Sequence, residues 1–496
     1  MKRRDFIKGT AASLTLPFWL QGCSYPFSGN YSIDVQSDYN AGHLMMKSRE
    51  WSKVAAEKTQ TIIVGGGIAG VTAAQGLGHS NFKLFELSNR LGGSSGAQQH
   101  NGITFSQGAH YELAYPEYYG EEVLALFEKQ KIIQYEPWKK MWSFVDRQHI
   151  IPFARRQQCF ENGKIRNEVI EDGVGKRQFY DLLDSYQGEM PLPTRLIPEA
   201  HRHLNDVTFI DFLADKMDVS TSFKRQIDYH MLDDWGGTSD LVSAVAGIHY
   251  FMCRPYLTQS VDLFSPPEGN YYFLNKISSE LPAENLLTNH LVSKIEKRGD
   301  GFVVEVIDVA QELVKVYEAE QLIYAGQKHA LKYVYPQESG LFEQSQTPWM
   351  VLNFVCEGTS SKYGFWQNEF LGENPAFMGF IDSSVQDPTL LNGKRIFTAY
   401  YCLKPEDREY LSTIPKHKEE IAEEALSYIT EMLGEKLNVE SCHIHVMGHA
   451  MSVPTPGFLF NDANDRNTDL IYAGVDNGRL PLLYEAVDSG LMASLS

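Results

Sequence analysis

Three glycines near position 65 have the spacing of a phosphate-binding loop. Gly65, Gly67 and Gly70 form a GxGxxG pattern between the apolar run 61–64, which predicts a buried strand, and a predicted helix. The first glycine permits a tight turn, the second lets a pyrophosphate approach the backbone, and the third lets helix and strand pack closely. The first amides of the helix, including that of Ala69, would face the phosphate charge. The pattern therefore predicts a dinucleotide site.

An acid stands where such a site requires one. Glu86 follows a second apolar run, 82–85, and lies 21 residues after Gly65. At the end of this strand a carboxylate accepts hydrogen bonds from a ribose diol. A glycine-rich turn with an ordinary surface glutamate is the alternative interpretation, but strand, helix and acid in register favour nucleotide binding.

A second glycine pair follows the acid and extends the pattern. Residues 90–94 read Arg-Leu-Gly-Gly-Ser, which resembles the flavin-containing amine oxidase and phytoene desaturase superfamily, where Arg, any residue, Gly, Gly and Arg follow the acid. The resemblance implies FAD as the cofactor, with backbone amides near Gly93 and Ser94 at the pyrophosphate. Ser94 replaces the last arginine of that pattern and Ser88 stands where many members have another, so two charge-assisted contacts are missing.

The resemblance continues near the carboxyl end of the chain. Residues 469–476 are similar to the family's last strand, which ends in Ala, Gly and an acid near the flavin ribityl chain. Gly474 is the matching glycine, while Val475 displaces Asp476 by one position. The following segment implies that amides near Leu483 contact the isoalloxazine at a helix amino end, where a positive dipole stabilises reduced flavin. Glu485 replaces the glycine usual there.

A third segment in the middle of the chain resembles the part of the family that contacts adenine. Alternating runs at 291–296, 302–307 and 313–317 predict a meander of strands that returns to a main sheet at 322–326. The resemblance implies that Val292 provides backbone contacts to the adenine.

The first 23 residues are interpreted as an export signal. Basic residues precede a short apolar run, and residues 3–7, Arg-Arg-Asp-Phe-Ile, resemble a twin-arginine signal. Cys23 follows Leu-Gln-Gly and is a candidate lipid anchor; simple cleavage nearby and a disordered cytosolic tail are the alternatives. The expected location is therefore periplasmic or envelope-associated, with the twin-arginine export machinery as a partner.

Composition excludes several classes of protein. The formal charge of −19 disfavours nucleic acid as a partner, because such binding requires an excess of Lys and Arg. The six cysteines show no short repeated spacing, so neither a zinc site nor a disulfide framework is expected.

The predicted fold class is α/β: a Rossmann-like FAD-binding domain with an inserted mixed α/β substrate domain. The expected segments are the signal (1–23), a tether (24–58), the FAD domain in three parts (59–113, 264–345 and 440–496) and the substrate domain in two parts (114–263 and 346–439).

Catalytic residues are not identifiable from these patterns. Many relatives hold a water beside flavin N5 with a lysine, but the corresponding stretch 347–354 contains none. His110 is either a flavin contact or a structural residue. His443, His445 and His449 are interpreted as satisfied strand histidines, with a metal as the less favoured alternative. Asp233 and Asp234 either line a pocket or end a helix.

The function implied is hydride transfer from a small-molecule donor C–H bond to flavin N5. The donor bond lies next to nitrogen or in a carbon skeleton that is desaturated, and the electron acceptor is left open. One alternative is an exported flavin-binding accessory protein with little or no turnover, which the departures from the family pattern favour. An NAD-dependent dehydrogenase is a third option, which the second glycine pair and the match near the carboxyl end disfavour.

Overall fold

The computed structural model describes residues 29–37, 39–46, 51–108, 118–253, 262–342, 344–358, 364–386 and 393–496. The signal 1–23 with Cys23, and His110, lie outside the described residues.

A seven-stranded sheet carries the glycine-rich loop. Its central strands are parallel, and Lys53–Val64 pairs with Phe82–Phe85 on one side and with Leu313–Tyr324 on the other. Both strands predicted beside the GxGxxG pattern are confirmed, although the first begins earlier than expected. In sheet order the strands are Leu286–Leu287, Phe82–Phe85, Lys53–Val64, Leu313–Tyr324, Gly301–Asp308 and His290–Arg298, with Ile471–Tyr472 also pairing to Leu313–Tyr324.

An eight-stranded sheet forms the second layer of the fold. Its strands come from both expected parts of the substrate domain and from two segments assigned elsewhere. In sheet order they are Ser32–Gln36, Val439–Ser452, Gln346–Glu357, Lys394–Cys402, Phe377–Asp382, Gln367–Phe370, Gln157–Glu161 and Lys164–Arg166.

Two sequence-based boundaries are corrected by this sheet. The segment 24–58 is not simply a tether, because Ser32–Gln36 pairs in parallel with Val439–Ser452 and Lys53–Val64 begins within it. Apolar and polar residues alternate in Ser32–Gln36, and Ile33 packs into the core of the eight-stranded sheet. The boundary after residue 439 moves beyond Ser452, since Val439–Ser452 belongs to the same sheet.

Nine α-helices of eight or more residues lie within the described ranges. Ile414–Leu433 ends at Gly434, whose φ of 64° is left-handed, a conformation in which glycine commonly ends a helix. The others with eight or more residues are Ile68–Gly76, Glu121–Lys129, Val174–Leu183, Phe209–Lys216, Thr221–Trp235, Ala244–Met252, Tyr271–Ser278 and Leu483–Leu495.

Two of these helices pack directly against each other. A Cβ added at Gly490 would lie 2.3 Å from the carbonyl oxygen of Ala69, and one added at Gly76 would lie 2.1 Å from Ser494 Oγ. Ala69, near the start of the first helix, thus faces Gly490, and Gly76 at its end faces Ser494. Ile68–Gly76 and Leu483–Leu495 therefore run in the same direction. Their amino ends consequently lie at the same end of the pair.

Within the part of the chain that the structure describes, no helix combines the length and apolar character needed to cross a membrane.

Candidate functional site

One cavity of about 1600 Å³ connects residues of the glycine-rich loops with residues of the eight-stranded sheet. This volume exceeds the roughly 300–1,000 Å³ of an ordinary small-ligand pocket, so it has room for a dinucleotide and a second molecule. Ten of the eleven residues predicted to bind the cofactor line it: Gly65, Gly67, Ala69, Glu86, Gly93, Ser94, Val292, Gly474, Asp476 and Leu483.

Gly70, the remaining predicted residue, lies behind the cavity wall. A Cβ at this position would come within 2.0 Å of the carbonyl oxygen of Gly65. Gly65 itself has a φ of 103°, and its own added Cβ would lie 2.8 Å from the backbone of Ala325. Both glycines are therefore required by close packing of helix, turn and strand, which is the task assigned to the third glycine of the pattern.

Glu86 is fixed at the cavity wall by backbone amides. Its carboxylate accepts hydrogen bonds from the amide of Gly66 at 2.7 Å and from the amide of Ser88 at 2.8 Å. The residue is 8% exposed. Because a carboxylate oxygen can accept more than one hydrogen bond, this anchoring is compatible with contacts to a ribose.

The second glycine pair packs onto the first loop. The amide of Gly92 donates to the carbonyl oxygen of Gly66 at 3.0 Å. The φ of Gly92 is 142°, and a Cβ there would lie 2.6 Å from the Cα of Gly96. Gly93 and Ser94 follow on the cavity wall, where the backbone and a short hydroxyl take the place of an arginine.

Two helix amino ends open into this cavity. Neither Gly67, which precedes Ile68–Gly76, nor Leu482, which precedes Leu483–Leu495, provides a side-chain cap, and both residues line the cavity. The first amides of each helix have no acceptor inside the helix. Since the helices are parallel, their dipoles add at this end and favour negative charge. The site can therefore hold a phosphate at one helix and an electron-rich ring at the other.

Glu485, which replaces the family glycine, is turned away from this opening. Its carboxylate accepts a hydrogen bond from the backbone amide of Thr194 at 2.7 Å and lies 3.6 Å from the Arg479 guanidinium. Burial is the main cause that raises the pKa of this carboxyl group. The substitution therefore builds a structural contact and leaves the amide end of the helix accessible.

Asp476 is held by a buried lysine that the sequence patterns did not reveal. The backbone amide of Lys328 donates to Asp476 Oδ2 at 2.8 Å, and the ammonium donates to Oδ1 at 2.9 Å and to the carbonyl oxygen of Ala473 at 2.6 Å. The Lys328 side chain is 0% exposed. Asp476 thus lines the cavity as predicted, but its carboxylate also anchors the end of the last strand. The one available signal was position, since Lys328 follows the carboxyl end of Leu313–Tyr324.

A stacked histidine pair also lines the cavity. The rings of His329 and His449 are 3.7 Å apart between centroids and 19° from parallel. Burial lowers the pKa of His329 to about 4, and burial with the adjacent His329 lowers the pKa of His449 to about 3. Both imidazoles are therefore neutral near pH 7.

This pair predicts a loss of stability in mild acid. An unfolded histidine takes up its proton near pH 6.5, whereas these folded ones do so only near 4 and 3. The stabilisation is complete above pH 6.5 and is lost as pH falls toward those values. Each histidine contributes at most about 1.4 kcal/mol per pH unit, less where solvent screens it. We expect His449→Phe to keep the ring stacking. The slope of the unfolding free energy against pH should then fall by up to about 1.4 kcal/mol per pH unit, because the unfolded state takes up one proton fewer. Urea titrations between pH 7 and 5 measure this slope, and an unchanged slope would contradict the assignment.

In the strand Val439–Ser452, His443 and His445 have hydrogen-bond partners as predicted, whereas His449 Nδ1 has none among the described residues, so the prediction of a satisfied histidine is wrong for His449. His443 Nε2 lies 2.9 Å from Ser441 Oγ, and Nδ1 lies 3.1 Å from Gln98 Nε2. His445 Nδ1 donates to the carbonyl oxygen of Gln107 at 2.9 Å. Across the described ranges, no three His, Cys, Asp or Glu residues are grouped as a metal site. The five cysteines in those ranges are buried thiols, and no disulfide joins them.

The end of the cavity next to the eight-stranded sheet is aromatic and acidic. Trp349, from the strand that lacks the family lysine, stacks on Tyr400 with 5.7 Å between centroids and 7° between planes. Trp366 and Glu369 also line this end, and both are 2% exposed. Burial, with the neighbouring Asp233 next in importance, holds the pKa of Glu369 well above its usual range.

Both interpretations of Asp233 and Asp234 apply. They lie in the last turn of Thr221–Trp235, which ends at Gly236 with a φ of 68°, and both line the cavity. Sequence reasoning found these acids but missed Glu369, because tertiary packing alone brings Gln367–Phe370 to the cavity.

Comparisons with known proteins agree with this architecture. Residues 63–129 match the family model described as an NAD(P)-binding Rossmann-like domain. No curated protein matches the chain.

Three solved structures illustrate the similarity of fold. A putrescine oxidase double mutant is 13% identical with a TM-score of 0.61, covering 89% of this chain and 99% of its own. Cyclohexylamine oxidase from Brevibacterium oxydans IH-35A is 13% identical with a TM-score of 0.61, covering 88% and 98%. A fatty acid isomerase from P. acnes that produces CLA is 15% identical with a TM-score of 0.60, covering 88% and 97%. The chain therefore has an amine-oxidase-like fold built on a Rossmann-type nucleotide-binding unit.

Proposed function

We propose that this chain is an FAD-dependent oxidoreductase of the amine oxidase type. The observation that carries the proposal is the single cavity, because it joins a dinucleotide cradle at Gly65 and Glu86 to a second helix amino end at Leu483 and to an enclosed aromatic end at Trp349. A cofactor and a donor can therefore meet in one cavity.

The residues of the cradle fit an adenine dinucleotide. The glycine backbone at Gly67 leaves space at an uncapped helix start, where a pyrophosphate gains amide donors. Glu86 presents a fixed carboxylate for a ribose, and Val292 lines the cavity where the adenine would lie. The amides near Leu483 would face the electron-rich edge of the flavin. When bound, FAD supplies the acceptor for the hydride that leaves the donor C–H bond.

In this proposal the side chains of the protein position the donor and exclude water from it, and no side chain is assigned as an acid or a base. Buried aromatic side chains enclose the donor end, so the donor can be held with its C–H bond facing the acceptor. The strand Gln346–Glu357 contains no lysine, so this proposal includes no lysine-held water on that strand. The structures of putrescine oxidase and cyclohexylamine oxidase favour a C–H bond next to nitrogen, whereas the fatty acid isomerase keeps a carbon skeleton as an option.

The presence of the cofactor is directly measurable. We expect the purified protein to be yellow and to release FAD on denaturation, because the cradle binds the dinucleotide without covalent attachment. A panel of amines, amino acids and unsaturated or saturated lipids is then mixed anaerobically with the protein, and bleaching of the flavin absorbance identifies a donor. A preparation that contains no flavin would overturn the proposal, and a tightly bound flavin that no donor reduces would favour the accessory role.

We also propose that the chain is exported folded through the twin-arginine route, on the basis of residues 3–7. Loading of FAD would then precede export. Cell fractionation tests this, and export of Arg3→Lys/Arg4→Lys at the level of the natural sequence would contradict it. Mass spectrometry of the mature amino terminus distinguishes lipid on Cys23 from simple cleavage.

A further inference from the structure

Three buried polar atoms at the aromatic end of the cavity have no hydrogen-bond partner among the described residues. They are Glu369 Oε2, Trp366 Nε1 and Trp349 Nε1. Their residues line the cavity and are 2%, 2% and 9% exposed, respectively. Most buried polar groups in proteins are paired, so three such atoms around one cavity indicate that a ligand provides their partners.

The charges at this end favour a cation. Glu369 has no ion pair within the described residues, and Asp233 is the acid with the largest electrostatic effect on it. Arg156 and Arg166 oppose these acids in part. However, Arg156 Nε donates to Gln157 at 3.1 Å, and Arg166 pairs with Glu161 at 2.6 Å and with Glu171 at 3.0 Å. A cationic ligand would thus replace the solvation that burial removes from Glu369.

The aromatic rings support the same chemistry. Trp349 and Tyr400 are stacked and both line the cavity, and aromatic faces attract ammonium and guanidinium groups. A saturated hydrocarbon would fill this space but leave the carboxylate and both indole N–H groups unpaired.

We infer that Glu369, Asp233, Trp349 and Trp366 form a subsite for a protonated nitrogen of the donor that is not the nitrogen beside the oxidised bond. An ammonium held by a carboxylate has no lone pair to assist departure of a hydride, so the recognised cation and the oxidised centre are different groups. The donor class is therefore a molecule with a cationic nitrogen in addition to its oxidisable C–H bond. This inference rests on the proposed function for the meaning of the site, but its binding chemistry can be tested separately.

The test compares ligands that differ only in their second group. The full-length protein as purified is titrated with butylamine, 4-amino-1-butanol and 1,4-diaminobutane, and binding is measured anaerobically by isothermal calorimetry and by the shift of Tm. We expect the diamine to bind at least about tenfold more tightly than either monocation, because only the diamine provides a second cation for the subsite.

Glu369→Gln keeps the size of the side chain but cannot carry the negative charge that a bound cation would stabilise. We expect it to lose at least about tenfold in diamine affinity while the affinity for butylamine changes less than about twofold. Glu424→Gln is the matched control. Glu424, in the helix Ile414–Leu433, is also a largely buried acid with a raised pKa, but it does not line the cavity. It should bind the diamine like the natural sequence.

Trp366→Phe provides a second variant in case Glu369→Gln does not fold. It removes one N–H group and keeps most of the ring, so the diamine should bind about two- to fivefold more weakly. Equal binding of diamine and monoamine by the natural sequence would overturn the inference, as would tighter binding of the amino alcohol than of the diamine. An unchanged diamine preference in Glu369→Gln, or in Trp366→Phe where the first variant is unfolded, would also overturn it. If the protein contains no flavin, the proposed oxidoreductase function fails, while a diamine preference that depends on Glu369 still supports the cation subsite.

Discussion

Gly67→Ala is expected to remove most of the affinity for FAD while leaving the apoprotein as stable as before. The backbone at Gly67 has φ −74° and ψ −178°, values that alanine adopts without strain. A Cβ there would have Gly92 O as its nearest neighbour, at 3.8 Å, so the folded chain has room for it. That room is part of the cavity at the start of Ile68–Gly76, where a pyrophosphate would approach the amides. The added methyl group would hold the phosphates away.

The expected change is a Kd for FAD raised on the order of 100-fold, which corresponds to about 2.7 kcal/mol. The unfolding free energy of the apoprotein should stay the same or rise by up to about 1 kcal/mol, because alanine restricts the unfolded chain. Fluorescence titration of apoprotein with FAD and urea unfolding measure the two quantities. Normal FAD affinity in Gly67→Ala would show that the pyrophosphate does not lie at this turn.

Gly70→Ala is the contrasting variant for this test. Its Cβ would lie 2.0 Å from a backbone oxygen of Gly65, so the loop or the helix must shift. Both stability, by about 1–3 kcal/mol or more, and FAD affinity should fall. Gly173→Ala, where an added Cβ meets no atom within 4 Å, should change neither.

The cradle could be predicted because its requirements are local. Gly65, Gly67 and Glu86 are placed by one turn and two adjacent parallel strands, so their spacing in sequence determines their positions in space. Local spacing does not identify Gly474 and Leu483, which were predicted only through the family resemblance. No local rule connects position 474 with position 65, although both line the same cavity.

The aromatic end of the cavity could not be predicted from the same kind of pattern. Glu369 lies on a four-residue strand with no clear alternation, and its position depends on parallel pairing with Gln157–Glu161, more than 200 residues earlier in the chain. His329 and His449 are likewise brought into contact by separate elements. Ser32–Gln36 does alternate in polarity, but five residues are a weak signal, and the strand is stabilised by pairing with Val439–Ser452. Long-range pairing, rather than local propensity, decides these positions.

Lys328→Met is expected to destabilise the protein by about 3–5 kcal/mol, because it leaves the carboxylate of Asp476 enclosed without its cation. The side chains of Lys328 and Asp476 are 0% and 11% exposed, and three aromatic rings lie within 6 Å of the ammonium, at 5.7, 5.9 and 5.9 Å. Few waters can reach the pair to replace the lost contact. The ammonium also donates to the carbonyl oxygens of Ala473 and Gly326, which would lose a donor.

The double variant Lys328→Met/Asp476→Asn separates the lost charge pair from the lost packing. The asparagine oxygen can still accept the amide of residue 328, but no charge remains buried, so we expect at least half of the lost stability to return. Lys297→Met is the control, because Lys297 pairs with Asp469 at 3.2 Å on the surface and its loss should cost less than about 1 kcal/mol. Urea unfolding of the natural sequence, Lys328→Met, Asp476→Asn and the double variant yields the coupling energy between Lys328 and Asp476, and Lys297→Met is measured beside them. If Lys328→Met costs no more than Lys297→Met, the buried pair does not stabilise the end of the last strand. If it does cost more, Gly474 and Asp476 owe their place on the cavity wall to a lysine that does not itself line the cavity, and FAD affinity should fall in the single variant and recover in part in the double one.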